Sequence, residues 1–169
     1  MEEISSNLKE YNVENAKPDD ITAKDKENFF KSVLTDKPYE EKINLFGSQM
    51  SIVLRTMSVS ENNDVVNQIS LDRANGMAEN TDAYFITIST YRLALCLMSI
   101  DDKPFSEISK ESYVSQDDGV SYVRARAKIM QDWPTFKLSS FLSAFNAFES
   151  KVVALTRAVQ EQNFWKASA

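Results

Sequence analysis

The sequence predicts a mainly α fold: a helical domain with one small antiparallel β-hairpin near residues 40–57. Three observations predict it. Apolar residues repeat at helical steps over most of the chain, and most regularly from Leu138 to Val159. Only 3 Gly and 4 Pro occur in 169 residues, too few breaks for an all-β fold. Strict alternation of apolar and polar residues is confined to two short runs flanking Gly47-Ser48. The length and an apolar fraction of 43% suit one domain with a real core, plus a tail.

In chain order, residues 1–27 are polar and charged around Lys17-Pro18-Asp19-Asp20, and are read as a flexible N-terminal arm. Residues 28–166 are read as a single domain. Phe29, Phe30, Val33 and Leu34 predict a short helix that ends before Lys37-Pro38. Glu41, Ile43 and Leu45 form one face of a first strand, and Met50, Ile52 and Leu54 one face of a second. A two-stranded hairpin is marginal by itself, so its apolar face must lie on the helices or on a partner.

Ser58-Val59-Ser60-Glu61 reads as a capping box opening a helix with a buried stripe of Val59, Val65, Val66 and Ile69, stopped at Asn75-Gly76. Residues 82–99 are apolar nearly all round and predict the central core helix. Asp101-Asp102-Lys103-Pro104 turns the chain, and a polar loop follows to Gly119, with a short extended piece around Phe105. A helix from about Val120 to Gln131 stops before Trp133-Pro134. Leu138, Phe141, Phe145, Phe148, Val152, Leu155 and Val159 then recur at steps of three and four, the stripe of a long helix packed along one side. Whether that stripe faces the chain's own core or a partner is open at this level.

A net charge of −6 argues against nucleic acid or an anionic membrane as a partner, since both require a basic surface. The longest apolar run, Leu93 to Met98, is far short of a membrane span. A single cysteine, and an opening Met-Glu-Glu-Ile without signal-peptide features, predict a cytoplasmic protein.

No histidine occurs, which removes Ser-His and Cys-His nucleophile pairs, imidazole bases and His-ligated metals. Cys96 falls within the apolar helix and reads as inert packing. The pairs Asp101/Asp102 and Asp117/Asp118 read as turns rather than cation ligands, and three separated glycines cannot build a phosphate cradle. Arg124, Arg126 and Lys128 splay over two faces of a helix and read as solvated. Neither catalysis, a cofactor nor a metal is expected.

The order of elements carries a resemblance. The strand pair through Ile43-Asn44-Leu45 and Ile52-Val53-Leu54-Arg55, the helix entry Thr56-Met57-Ser58-Val59-Ser60-Glu61, an apolar helix ending in Leu97-Met98-Ser99-Ile100-Asp101-Asp102, and a last helix ending Asn163-Phe164-Trp165 together resemble the tail assembly chaperones of tailed bacteriophages. They are similar as well to the baseplate hub assembly proteins of contractile-tailed phages. The resemblance spans about residues 29–165. It implies a non-enzymatic protein in the host cytoplasm that binds a tape measure or tail tube protein and shields its apolar helices until assembly. The long polar arm departs from the compact chaperone pattern and suits the alternative, a small structural component of the neck, tail or baseplate that contacts neighbouring virion subunits. A second alternative is an acidic inhibitor of a host nucleic-acid enzyme, against which the scattered carboxylates argue. The expected partner contacts are Trp133, Phe141, Phe145, Phe148, Phe164 and Trp165, and a homo-oligomer is compatible with all three readings.

Overall fold

The computed structural model describes residues 21–113 and 121–161. Five helices and a four-stranded antiparallel sheet account for most of them. Helix α1 (Ala23–Leu34) starts earlier than the arm boundary at residue 27 predicts. The reason is a capping box: the Thr22 hydroxyl accepts from the Asp25 amide at 3.1 Å, and the Asp25 carboxylate accepts from the Thr22 amide at 3.0 Å. Ile21 already packs against the core. Residues 1–20 of the expected arm lie outside the described residues.

Strands β1 (Glu40–Leu45) and β2 (Met50–Arg55) form the predicted hairpin, with Glu40 opposite Arg55 and Leu45 opposite Met50. Its turn holds Phe46, Gly47 and Ser48 in succession at positive φ (54, 61 and 66°), and the Phe46 ring meets Phe136 edge-on. Ile52 and Leu54 are fully buried, so the alternation has placed the intended face inward.

Helix α2 (Val59–Ala74) carries the predicted capping box: Ser58 Oγ accepts from Glu61 N, and Glu61 accepts from Ser58 N. Its buried stripe differs from expectation. Val65 and Gln68 are buried, whereas Val59 is 80% exposed and Val66 52%. Helix α3 (Asp82–Cys96) is buried only in its second half, from Tyr91 to Cys96, and Phe85 and Ile86 face outward.

Helix α3 also stops three residues short of the predicted end at 99. At Leu97 the backbone turns extended (φ −75°, ψ 114°) and β3 (Leu97–Ile100) pairs with β2. Asp101 and Asp102, both at positive φ, turn β3 into β4 (Lys103–Pro104), giving the order β1-β2-β3-β4. The acidic pair is a hairpin turn, as its composition predicts, but it joins two strands rather than a helix and a loop.

Helix α4 (Tyr122–Gln131), capped by Ser121, packs on α3, and α5 (Thr135–Gln160) runs along the body. The heptad stripe of α5 faces inward: Phe141, Phe145, Phe148 and Leu155 are buried, with Leu138, Val152 and Val159 packed beside them. Tyr39 stacks on Phe148 at 6.1 Å and takes Phe29 edge-on, which joins α1, the sheet and α5 in one core.

Arg126 is not solvated. Its guanidinium donates to the carbonyls of Ala94 (2.7 Å) and Leu97 (3.2 Å), left open where α3 ends, and to that of Ile108 (2.6 Å) in the loop after β4. Arg124 and Lys128 are exposed, as expected. Lys151 on α5 reaches Asp25 of α1 at 3.2 Å and Glu41 of β1 at 3.0 Å.

Candidate functional site

An open groove of about 720 Å³ lies over α3. One wall is the entry to α2, where Met57, Val59 and Asn62 line it. The other is α5, which contributes Phe145, Glu149 and Val153 among others. Arg92 and Cys96 of α3 lie between them. The helical repeat brings these residues to one face: Val59 and Asn62 are one turn apart on α2, Arg92 and Cys96 on α3, and Glu149 and Val153 on α5.

The groove is apolar on its flanks and charged in the middle. Arg92 and Glu149 form an ion pair across α3 and α5, with the two side chains 37% and 34% exposed. Burial raises the Glu149 carboxyl above the usual glutamate value, and the Arg92 charge pulls the other way without winning. The Nε of Arg92 is shielded from solvent and has no hydrogen-bond partner among the described residues. Such an orphaned donor is costly in a protein interior.

Cys96 is packed away from solvent at the groove's base, and burial pushes its thiol up to about 12. That leaves almost no thiolate at neutral pH, so it is a packing group and not a nucleophile. No group of three or more metal-binding side chains occurs among the described residues.

A second cavity of about 650 Å³, bounded by residues 36–38, 55–58, 60–61 and 108–111 with Leu95, Tyr122 and Arg126, is polar, and several of its charges are paired within the chain. Arg55 clamps Glu61 through two bonds of 2.9 and 2.6 Å. Lys110 and the Tyr122 hydroxyl both engage Asp64, at 2.8 and 2.7 Å, and Arg126 is committed to its three carbonyls. Its charges hold α2, α4 and the intervening loop together.

Of the expected contacts, Phe145 and Phe148 do touch the groove, but from beneath, as core residues with 1% and 3% exposure. Phe141 is wholly buried. Trp133 lies elsewhere, edge-on to Phe105 and Phe141 with the Lys137 ammonium 4.2 Å above its ring. Phe164 and Trp165 lie outside the described residues.

No protein-family model, curated protein or solved structure matches the chain. The groove is therefore understood from its own residues. Sequence reasoning missed Val59, Arg92 and Val153 as its lining. Arg92 did carry a signal, as the one charge between Ile86 and Ile100. Val153, immediately after the stripe residue Val152, is 51% exposed and carried none.

Among the described residues no helix is long and apolar enough to cross a membrane.

Proposed function

We propose that this is a non-catalytic phage tail-morphogenesis protein that holds an apolar helical segment of a tail protein, a tape measure or tail tube chain, in the groove over α3. The observation that carries the binding part is the exposure of Val59 and Val153 on facing walls, 80% and 51%, over a floor of buried Cys96, Phe145 and Phe148. A trough walled by two helices and floored by a third is the setting in which an amphipathic helix buries its apolar face. The tail part comes from the order of elements in the sequence. The Arg92–Glu149 pair in the middle of the trough selects an occupant with a polar residue at that level, because a wholly apolar one would desolvate the pair without replacing its water.

Co-expression with tape measure and tail tube chains, followed by affinity capture, tests both parts. The expected result is capture of one of them, reduced at least about tenfold, or ~1.4 kcal/mol, in Val59→Asp and Val153→Asp with thermal midpoints unchanged. Capture that both variants retain in full would remove the groove from the reading. Failure of the intact protein to capture any tail chain would remove the tail.

A further inference from the structure

Helix α2 ends in a full Schellman motif. The Gly76 amide donates to the Arg73 carbonyl at 3.0 Å and the Met77 amide to the Asp72 carbonyl at 2.9 Å, with Gly76 at φ 100°. That φ excludes most side chains, and the space around Gly76 is open: an added Cβ would meet no atom within 4 Å. The residue before it is Asn75, which is exposed. The cap thus places an unhindered glycine nitrogen directly after a solvated carboxamide. No other asparagine in the sequence precedes a glycine.

The pair carries its own chemistry. Once hydroxide has taken its proton, the Gly76 nitrogen can attack Cγ of Asn75. The new C–N bond closes a cyclic imide, and the side-chain nitrogen leaves as ammonia. Water then opens the imide at either carbonyl, giving aspartate, or isoaspartate with the main chain routed through Cβ and Cγ. Asn80, in the same connection and also exposed, is followed instead by Thr81, whose branched side chain crowds the nitrogen.

The folded cap opposes this step. The Gly76 N–H is committed to the Arg73 carbonyl. With Asn75 at ψ 13°, the Gly76 nitrogen also lies over the Asn75 nitrogen and away from its Cβ, so the ring closes only after the cap opens. The last turn is held from the side as well: Arg73 pairs with Glu79, and the Asp72 carboxylate accepts from Gln68 and from the Tyr91 hydroxyl of α3. Opening is therefore a local event at a helix end, well below global unfolding in free energy.

We propose that Asn75–Gly76 is a deamidation site of this protein, and that the α2 cap is the gate that sets its rate. The inference is independent of the groove and its occupant. Either product adds a negative charge where the helix dipole is already negative, and isoaspartate lengthens the main chain just before the two capping amides. The modified chain loses the cap that had restrained the reaction.

The test incubates the full chain in mildly alkaline buffer, folded and, in parallel, unfolded in urea, and follows the amide-to-acid mass change by peptide mapping. In urea, Asn75 is expected to react about tenfold faster than Asn80, because no Cβ hinders the attacking nitrogen. In the folded chain Asn75 is expected to react about tenfold more slowly than in urea, and still to yield both aspartate and isoaspartate peptides, which chromatography separates. Equal rates at Asn75 and Asn80 in urea would overturn the site, as would an Asn75 that stays intact when folded. Equal rates for Asn75 in the two states would overturn the gate. Asn75→Gln, whose longer side chain closes a ring far more slowly, is expected to leave that peptide unmodified; a mass change that persists there would assign the event to another residue and overturn the proposal.

Discussion

Ser58 and Glu61 exchange hydrogen bonds across the first turn of α2, and Arg55 reaches over from β2 to clamp the same carboxylate. Burial works to raise the Glu61 carboxyl, but the Arg55 and Ser58 bonds outweigh it and hold the group below the usual glutamate range. The sign of the pH effect follows. A carboxyl with a lowered folded-state value contributes stability above its unfolded value near 4.5, and loses it as pH falls through the folded value. Glu61→Gln is expected to be less stable than wild type at pH 7 in urea titrations, with the gap closing toward pH 3. Arg126 offers a second test at this scale. Arg126→Ala leaves three carbonyls without their donor and is expected to cost about 3 kcal/mol, while Arg126→Lys, with a single ammonium on a shorter reach, recovers only part. The capping box could be read from Ser-x-x-Glu alone, because its partners are three residues apart. Arg126 could not: its acceptors are 18 to 32 residues away, and nothing local distinguishes it from Arg124.

At the scale of elements, the long α5 helix, the hairpin and the entry to α2 were legible because their spacing repeats within one segment. The switch from α3 to β3 was not. No Gly or Pro occurs between Asp82 and Asp102, and the apolar run from Leu93 to Met98 continues unbroken through the change. What ends the helix is tertiary: β2 presents an edge that Leu97, Ser99 and Ile100 complete, and Arg126 takes up the carbonyls left behind. The all-round apolar pattern of residues 82–99 thus combined a half-exposed helix with a strand. The β3–β4 turn separates two neighbouring aspartates by role. Asp101 accepts from the Ser51 amide at 2.8 Å, whereas Asp102 makes only an exposed contact to Lys42 at 3.3 Å. Both sit at positive φ. Asp102→Gly is therefore expected to raise stability by about 0.5 kcal/mol through relief of the backbone, and Asp101→Gly to lower it by about 1 kcal/mol through loss of the bond to β2, both read from denaturant midpoints.

For the whole molecule, the candidate site was legible only as a direction. The aromatic stripe on α5 pointed to the right helix but to its inner face, because burial was inferred from residue type. Exposure of Val59 and Val153 depends on which neighbours the fold leaves out, and that is decided by the packing of three helices. The two faces of α5 can be told apart experimentally. Phe145→Ala is expected to cost about 3–5 kcal/mol of stability by opening a cavity, whereas Val153→Ala, at a half-exposed position, should cost well under 1 kcal/mol. Thermal denaturation of the two variants measures the difference.

One ammonium, that of Lys151, balances carboxylates from two elements that are otherwise unconnected in sequence, Asp25 and Glu41. The three positions are therefore coupled in the order in which they can change. Losing Lys151 first strands two like charges at the same place, while losing either acid first leaves a working pair. A lineage drifting away from this arrangement should shed an acid before the lysine, and the cost of replacing Lys151 should shrink once Asp25 or Glu41 has already gone.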